Sequence, residues 1–283
     1  MSAGDRQRAA AYLDGVARHG GRRMNDHLLA DLRSPRAGFL AASLDDGTAI
    51  TGYAQATATH DGFLVDAVAA TPGGRLALLT AVVDDLPDEA DLTWWTTDDD
   101  AAAATTLGLS AGRRLLNMRT PLPIAAHTDV AVRPFRPGVD DAAWLTVNNA
   151  AFAWHGEQGG WDEAMLQQRL AEPWFSADGF LLHERDGRLA AFCWTKRHPG
   201  HPVVGEIYVI AVHPDFHGNG LGRALTVAGL HHLHARGATA AMLYVDADNT
   251  AAVVLYQHLG FTVDHADQAY HRVGRPSVHE ETT

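Results

Sequence analysis

Three groups of residues have types and spacings suited to group-transfer chemistry, and all lie in the second half of the chain. The first is the stretch 205–225, GEIYVIAVHPDFHGNGLGRAL. Glu206–Val212 is apolar and rich in strand formers, Pro214 and Asp215 supply a turn, and Gly218, Gly220 and Gly222 follow. From Leu221 the apolar positions switch to helical spacing through Leu225, Val227, Leu230 and Leu233. A strand that passes through a glycine-rich turn into a helix offers free backbone N–H groups and a positive dipole end to an anion, so this stretch reads as a phosphate cradle. The glycine spacing is not Gly-x-Gly-x-x-Gly, and no Walker Lys-Ser/Thr pair follows. The second group is Glu206, the one acid of that strand. Alternation places it on a face with Tyr208, Ile210 and Val212. A carboxylate there can take a proton directly or through water, or, following Gly205, it can face solvent at a strand end. The third group is DNTAAVVLYQHLGF, where Asp248 or Asn249 can cap a helix starting at Thr250. Tyr256 lies seven residues after Asn249, about two helical turns, which brings its hydroxyl to the side of the cap.

The elements that must hold these residues follow from patterning. Residues 5–33 read as two helices separated by Gly20 and Gly21, followed by strands 38–43 and 49–57 and a further strand 63–69. Thr71 to Gly74 turn into a helix to about Asp84; strand 91–97, helix 101–107 and a last strand 114–119 complete the first half. After a join at about 122–129 the order repeats. It runs strand 130–134, helices 140–152 and 161–172, strands 179–184 and 189–198, the central strand 203–212, the cradle helix, strand 240–246, helix 250–259 and final strands 261–272. The parallel order suggests tandem copies of one mixed α/β fold, with domains at 1–125 and 126–283. The copies differ at the cradle. The first half has only Thr71-Pro72-Gly73-Gly74-Arg75 where the second has His213 to Arg223, and it starts without a full first strand.

Composition narrows the classes. A chain of 283 residues suits two modest domains, and 46% hydrophobic with 20% charged residues is that of a soluble globular protein. A formal charge of -12 argues against a nucleic-acid partner. No apolar run reaches spanning length, and MSAGDRQRAA lacks the build of a secretion signal, so no membrane partner is expected. One cysteine, Cys193, excludes a disulfide framework and fits a reducing, cytoplasmic setting; a monomer satisfies everything the sequence requires. Cys193 itself reads as a small core side chain. His231, His232 and His234 do not share one helical face, so they read as solvated, and no metal site is expected.

The cradle resembles the pyrophosphate loop of the GCN5-related N-acetyltransferases (GNATs), whose pattern of Arg or Gln, two residues, Gly, one residue, then Gly or Ala falls here on His217, Gly220 and Gly222. The departure is His217, which offers a ring nitrogen in place of the usual side chain. The order of elements is also that family's. The resemblance implies acetyl-CoA as co-substrate, a bulged central strand whose backbone at Ile210, Ala211 and Val212 meets the pantetheine arm, and loop contacts from His217, Gly218, Asn219, Gly220, Leu221, Gly222 and Arg223. It further implies contacts from Asn249, Ala251 and Ala252, with Glu206 as general base and Tyr256 as the acid that protonates the sulfur. It assigns acetyl-CoA binding to the second domain and leaves the degenerate first domain to shape the acceptor cleft.

Within that superfamily the chain resembles the tandem acetyltransferases of mycothiol biosynthesis. The matching pieces are AWHGEQGGW at 153–161, Trp194-Thr195-Lys196, GEIYV at 205–209, Leu243-Tyr244-Val245 and Ala269-Tyr270. That resemblance implies the cysteinyl amine of a cysteinyl-glucosaminyl-inositol as acceptor, with contacts from Asp26, Glu157, Lys196, Glu206 and Tyr244. The alternatives are a GNAT with another amine acceptor, such as an aminoglycoside, a small metabolite or a protein N-terminus, and a CoA-sensing protein without turnover.

Overall fold

The glycines and small side chains of 190–230 let a long helix settle directly onto a sheet, and the second half of the chain is built on that contact. The computed structural model describes residues 1–19, 24–35, 37–59, 62–97, 100–154, 158–198, 200 and 202–274, with the side chains of 26 and 27 excepted. It divides into Met1–Arg114 with Asp267–Thr283 as one unit and Leu115–Ala266 as the other. Both divisions fall inside strands.

In the first unit, α1 (Ala3–Arg18) starts in a capping box between Ser2 and Asp5 and is followed by α2 (Asp26–Arg33). Strands β1 (Leu40–Asp45), β2 (Ile50–Thr59) and β3 (Gly62–Ala69) form an antiparallel meander. Helix α3 (Pro72–Asp84) crosses to β4 (Leu92–Thr97), which runs parallel to β3 from Phe63–Leu92 to Val65–Trp94, and α4 (Ala101–Thr106) follows. Leu78, Leu79, Val82 and Val83 of α3 pack on Ala54, Ala56, Val65 and Trp94. Ala9, Leu13, Leu28 and Leu32 from α1 and α2 cover the other face at Tyr53, Leu64 and Val68.

The second unit takes β5 (Ser110–Pro121) from Leu115 onward, then β6 (Arg133–Pro134), α5 (Asp141–Ala151), α6 (Glu163–Leu170), β7 (Phe180–Arg185), β8 (Arg188–His198) and β9 (Val204–Val212). It continues with α7 (Leu221–Ala235), β10 (Ala240–Asp246), α8 (Thr250–His258) and the start of β11 (Thr262–Arg272). Its strand order is β5-β10-β9-β8-β7-β6, antiparallel except for β9 beside β10. One face is covered by α7 and α8 through Leu225, Leu230, Leu233 and Tyr256. The other is an aromatic core of Phe135, Trp144, Trp161, Phe180, Phe192 and Trp194, in which Phe180 stacks on Trp194 at 4.2 Å.

The elements agree with the sequence pattern, and three assignments change. The strand expected over 130–134 is only Arg133–Pro134, bonded to Leu181 and Leu182, because Pro134 has no N–H with which to extend the ladder. The strand expected to close the first half extends to Pro121, and its 115–121 segment pairs with β10 in the second unit. The final stretch is a single strand whose 267–272 segment pairs with β4 in the first unit. Alternation fixes which side of a strand is apolar and leaves its neighbour open, so partner choice was not readable locally. Among the described residues no strand precedes α1, and no helix is long and apolar enough to cross a membrane.

The approach of α7 to the sheet gives a test. A Cβ at Gly229 would stand 2.6 Å from Cys193 Sγ and 2.9 Å from Ile207 Cδ1, whereas one at Gly15, inside α1, meets nothing within 4 Å. Gly229→Ala is expected to lose about 1–3 kcal/mol of stability by overpacking, and Gly15→Ala to gain about 0.5–1 kcal/mol from helix propensity. Equilibrium denaturation of both variants checks the pair; equal midpoints would remove the close-packing account.

Candidate active site

A β-bulge organises the site. In the β8–β9 ladder Trp194 faces Val209 and Thr195 faces Ile207, so Tyr208 is an extra residue with no partner on β8. The bulge reverses which side chains point where. Ile207 lies in the core under α7, and past the bulge Ile210 and Val212 pack there too, while Tyr208, Val209 and Ala211 lie on the aromatic side. Alternation across an unbroken strand had put Glu206, Tyr208, Ile210 and Val212 on one face. The structure separates Glu206 and Tyr208 from Ile210 and Val212, because the added residue shifts the phase by one. The same point ends the pairing of β9 with β10. Partners run from Val204–Ala240 to Ile207–Leu243 and stop, after which β10 continues with β5 alone and β9 with β8 alone. The two central strands part there, and no ladder joins 208–212 to 244–246.

Glu206 sits at the last turn of the ladder before this gap. It is 7% exposed, opposite Lys196 in the register and beside Met242 of β10. Its Oε2 accepts a hydrogen bond of 2.6 Å from His198 Nε2. Lys196 is buried, with Nζ 4.8 Å from the centre of the Trp174 ring and 5.5 Å from that of Tyr208. Ala241, Leu243 and Val245 turn toward α7. Tyr244 therefore emerges on the Glu206 side, where it is 44% exposed. Lys196, Glu206 and Tyr244, three of the sequence-derived acceptor contacts, thus share one face of the sheet. Glu157 and the side chain of Asp26 lie outside the described residues.

The cradle follows β9. His213 caps a 3-10 turn over Pro214–Phe216 by accepting from Asp215 N at 3.2 Å, and Gly218 and Gly220 take φ of 78° and 72°. Such backbone is open to glycine and strained for other residues. Gly220 is the N-cap of α7 with no side-chain cap, and the first turn's bond is Ala224 N to Gly220 O. The N–H groups of Leu221, Gly222 and Arg223 therefore face outward from the helix end. By contrast, α6 and α8 are capped by Asp162 and Asn249. Asn219 Nδ2 ties the loop to Phe216 O and His217 O. His217 Nε2 donates to Val212 O at 2.9 Å. The ring nitrogen foreseen as free for phosphate is thus used within the loop, as is the Val212 carbonyl. A neutral ring in that tautomer has only a lone pair left at Nδ1.

Asn249 Oδ1 accepts from Ala252 N at 3.2 Å, so the cap falls on Asn249, and Ala251 follows on the exposed first turn of α8. Tyr256 is 8% exposed in the same cluster as Ile210, Val212 and Leu221, 5.8 Å from the Phe261 ring. Burial, with Cys193 adding to it, raises the Tyr256 phenol above its ordinary pKa and keeps it protonated. Glu206 and Tyr256 occupy opposite faces of the sheet.

Several residues acquire roles that their spacing did not announce. Trp161, the last residue of AWHGEQGGW, is a core anchor 5.5 Å edge-on to Trp144. Asn149 holds it through Nδ2 to Trp161 O and Oδ1 from Trp161 N, and Asn148 Nδ2 bonds Gln158 O. An Asn pair inside a predicted helix gave no sign of this. His198 was likewise read only as a strand end. Cys193 is wholly buried, and its thiol is pushed up to about 12 by desolvation. The helix histidines are not simply solvated. His231 Nε2 reaches Ala126 O at 2.9 Å, and burial, followed by Arg236, lowers the pKa of His232. Among the described residues no group of three or more His, Cys, Asp and Glu could hold a metal ion.

The acetyltransferase (GNAT) family pattern matches residues 147–261, which span α5 to α8. A mycothiol acetyltransferase from Streptomyces griseus subsp. griseus is 52% identical over 170 residues, covering 58% of this chain and 55% of that protein. The chain thus aligns with about half the length of that relative. A mycothiol acetyltransferase from Thermomonospora curvata is 42% identical over 276 residues, covering 93% of this chain and 90% of that one. The chain belongs to the mycothiol acetyltransferase family. A tandem GNAT protein of the clavulanic acid biosynthesis pathway, at 15% identity and a TM-score of 0.70 over 98% of both chains, has the same fold. The fold class is therefore mixed α/β with two tandem GNAT domains.

For this family member the uncapped start of α7 makes a direct prediction. Gly220→Ala would force an L side chain into left-handed backbone, at about 1–2 kcal/mol, with nothing nearby to clash. The expected result is a rise of about tenfold in the KM for acetyl-CoA with a small fall in melting temperature. An unchanged KM would show that the loop does not meet the phosphates.

Proposed function

We propose that this protein transfers the acetyl group of acetyl-CoA to the cysteinyl amine of a cysteinyl-glucosaminyl-inositol. The observation that carries the reading is the gap opened at the Tyr208 bulge, with a carboxylate on one face of the sheet and a protonated phenol on the other. The uncapped N–H groups of 221–223 and the left-handed glycines fit a pyrophosphate, and the parted backbone of 208–212 fits an extended amide-bearing arm. Acetyl-CoA supplies an activated acyl group when bound. Glu206 takes one proton from the acceptor ammonium, freeing the lone pair that forms the N–C bond; the second proton leaves the nitrogen as the tetrahedral adduct collapses to the amide, and it balances the proton that Tyr256 gives up. Tyr256 gives its phenolic proton to the sulfur as the C–S bond breaks. Because base and acid lie on opposite faces of the sheet, the incoming nitrogen and the departing sulfur are served by separate groups. Glu157, Lys196 and Tyr244 are the acceptor contacts, with Asp26 a further candidate; an acceptor bearing many hydroxyls and one ammonium suits such acidic and phenolic partners. Asn249, Ala251 and Ala252 at the start of α8 complete the CoA side. A reaction that consumes acetyl-CoA fits the cytoplasm, and a single chain carries every group named.

We infer that the first unit does not take a second CoA. Its α3 starts with Thr71 Oγ1 already accepting from Gly74 N at 3.1 Å. Where β3 and β4 part, Arg75 fills the space, donating from Nε to Ala67 O at 2.9 Å and from Nη2 to Thr96 Oγ1 at 2.9 Å, and pairing with Asp100. Arg75 thereby bridges β3 and β4 beyond their last ladder pair, Val65–Trp94. Titration calorimetry is expected to give one CoA per chain, and two sites would overturn this account.

The activity test is incubation with acetyl-CoA and the cysteinyl pseudo-disaccharide, following CoA release by chromatography and acetylation of the amine by mass spectrometry. No product above background sinks the acceptor assignment. Glu206→Gln and Tyr256→Phe are each expected to lower kcat about 10²–10⁴-fold with CoA binding retained. A protein that senses CoA without turnover would be indifferent to both.

A further inference from the structure

We propose that His198 is the positioning residue of the catalytic carboxylate, holding one oxygen of Glu206 so that the other meets the acceptor amine. This rests on the assignment of Glu206 as base. The two residues are on adjacent strands, His198 opposite Val204 and Glu206 opposite Lys196, so they are diagonal neighbours on one face. A carboxylate can only accept, and the contact of 2.6 Å therefore places a hydrogen on His198 Nε2. Among the described residues it is the hydrogen-bond partner of that carboxylate. The nearest cation by register, Lys196, directs its ammonium over the Trp174 and Tyr208 rings.

The physical consequence follows from how a Glu side chain behaves in a strand. With three free torsions it samples several positions, and each costs catalytic rate when the reacting atoms must stand within hydrogen-bond reach. On its own strand the immediate neighbours of Glu206, Gly205 and Ile207, both face α7 and so do not hold the carboxylate. A donor anchored two residues along the neighbouring strand fixes Oε2 and leaves Oε1 to the ammonium. The His198 side chain is 21% exposed and that of Glu206 9%, so the histidine is the more solvent-exposed member of the pair.

The decisive experiment is a double-mutant cycle on kcat, with the KM values of both substrates measured alongside, for wild type, His198→Ala, Glu206→Gln and the double variant. His198→Ala is expected to lower kcat about 10–100-fold, the worth of one hydrogen bond to a charged group, with the KM for acetyl-CoA unchanged. The double variant is expected to match Glu206→Gln within about twofold, since a residue acting through the carboxylate has nothing to hold once it is gone. His198→Gln, which keeps an N–H donor, is expected to regain most of the rate; His198→Phe, which fills the ring's space without a donor, serves in place of the alanine variant should that fail to fold. Losses that multiply in the double variant would place the action of His198 elsewhere and overturn the proposal. If Glu206→Gln loses kcat while His198→Ala keeps it, positioning alone fails. Should Glu206→Gln keep wild-type kcat, the base assignment falls and this proposal with it.

Discussion

One extra residue in a strand, Tyr208, is what the rest of the second unit depends on. Backbone hydrogen bonds are near-obligatory in a sheet, so a strand cannot part from its neighbour without a reason. The bulge supplies one by bending and twisting β9 away from β10 just after Ile207–Leu243. The same residue exchanges the two faces of β9. Ahead of it the strand carries an acid toward the aromatic side; after it, aliphatic side chains turn toward α7 and α8, where the phenol lies. A break between the central strands and a chemical polarity across it are two outcomes of one insertion.

Around this point the unit is rigid by construction. The aromatic core stacks under β7–β9, and α7 lies so close to the sheet that Gly229 and Gly205 have no room for a side chain, their Cβ positions falling 2.6 Å from Cys193 and 2.7 Å from Leu233. Precise placement of a base needs such backing, because small displacements of a reacting group cost large factors in rate. The pairing of Asn149 with Trp161 extends the same backing to the segment that leads into α6.

Much of this was legible in the sequence, for identifiable reasons. The cradle could be read because glycines at left-handed positions have no substitute, and α7 because its apolar spacing changes period at Leu221. Lys196, Glu206 and Tyr244 were named together by resemblance alone; their shared face is set by the registers of three strands, which alternation within one strand does not give. What lay beyond the bulge was misphased, since nothing in Tyr208 itself marks an inserted residue. The roles of β5 and β11 were hidden for a related reason: each is a plausible strand by itself, and the choice of neighbour is made by distant residues. His198 was missed because its contact is made across strands, where a polar side chain is normally a solvent-facing one, and Arg75 because it reaches from the first turn of α3 to β3 and β4, which local spacing does not announce.

The sealed sulfur at Cys193 has a consequence for chemistry carried out between two thiols. The proposed reaction releases one, CoA, and acts on an acceptor bearing another, so acyl groups and disulfides can migrate to any accessible thiolate. Burial pushes the Cys193 thiol up to about 12, which disfavours the reactive thiolate at neutral pH, and Gly229 of α7 packs directly against its sulfur. The chain, whose sequence has no other cysteine, thus offers no sulfur of its own for self-acylation or for mixed disulfides with its substrates.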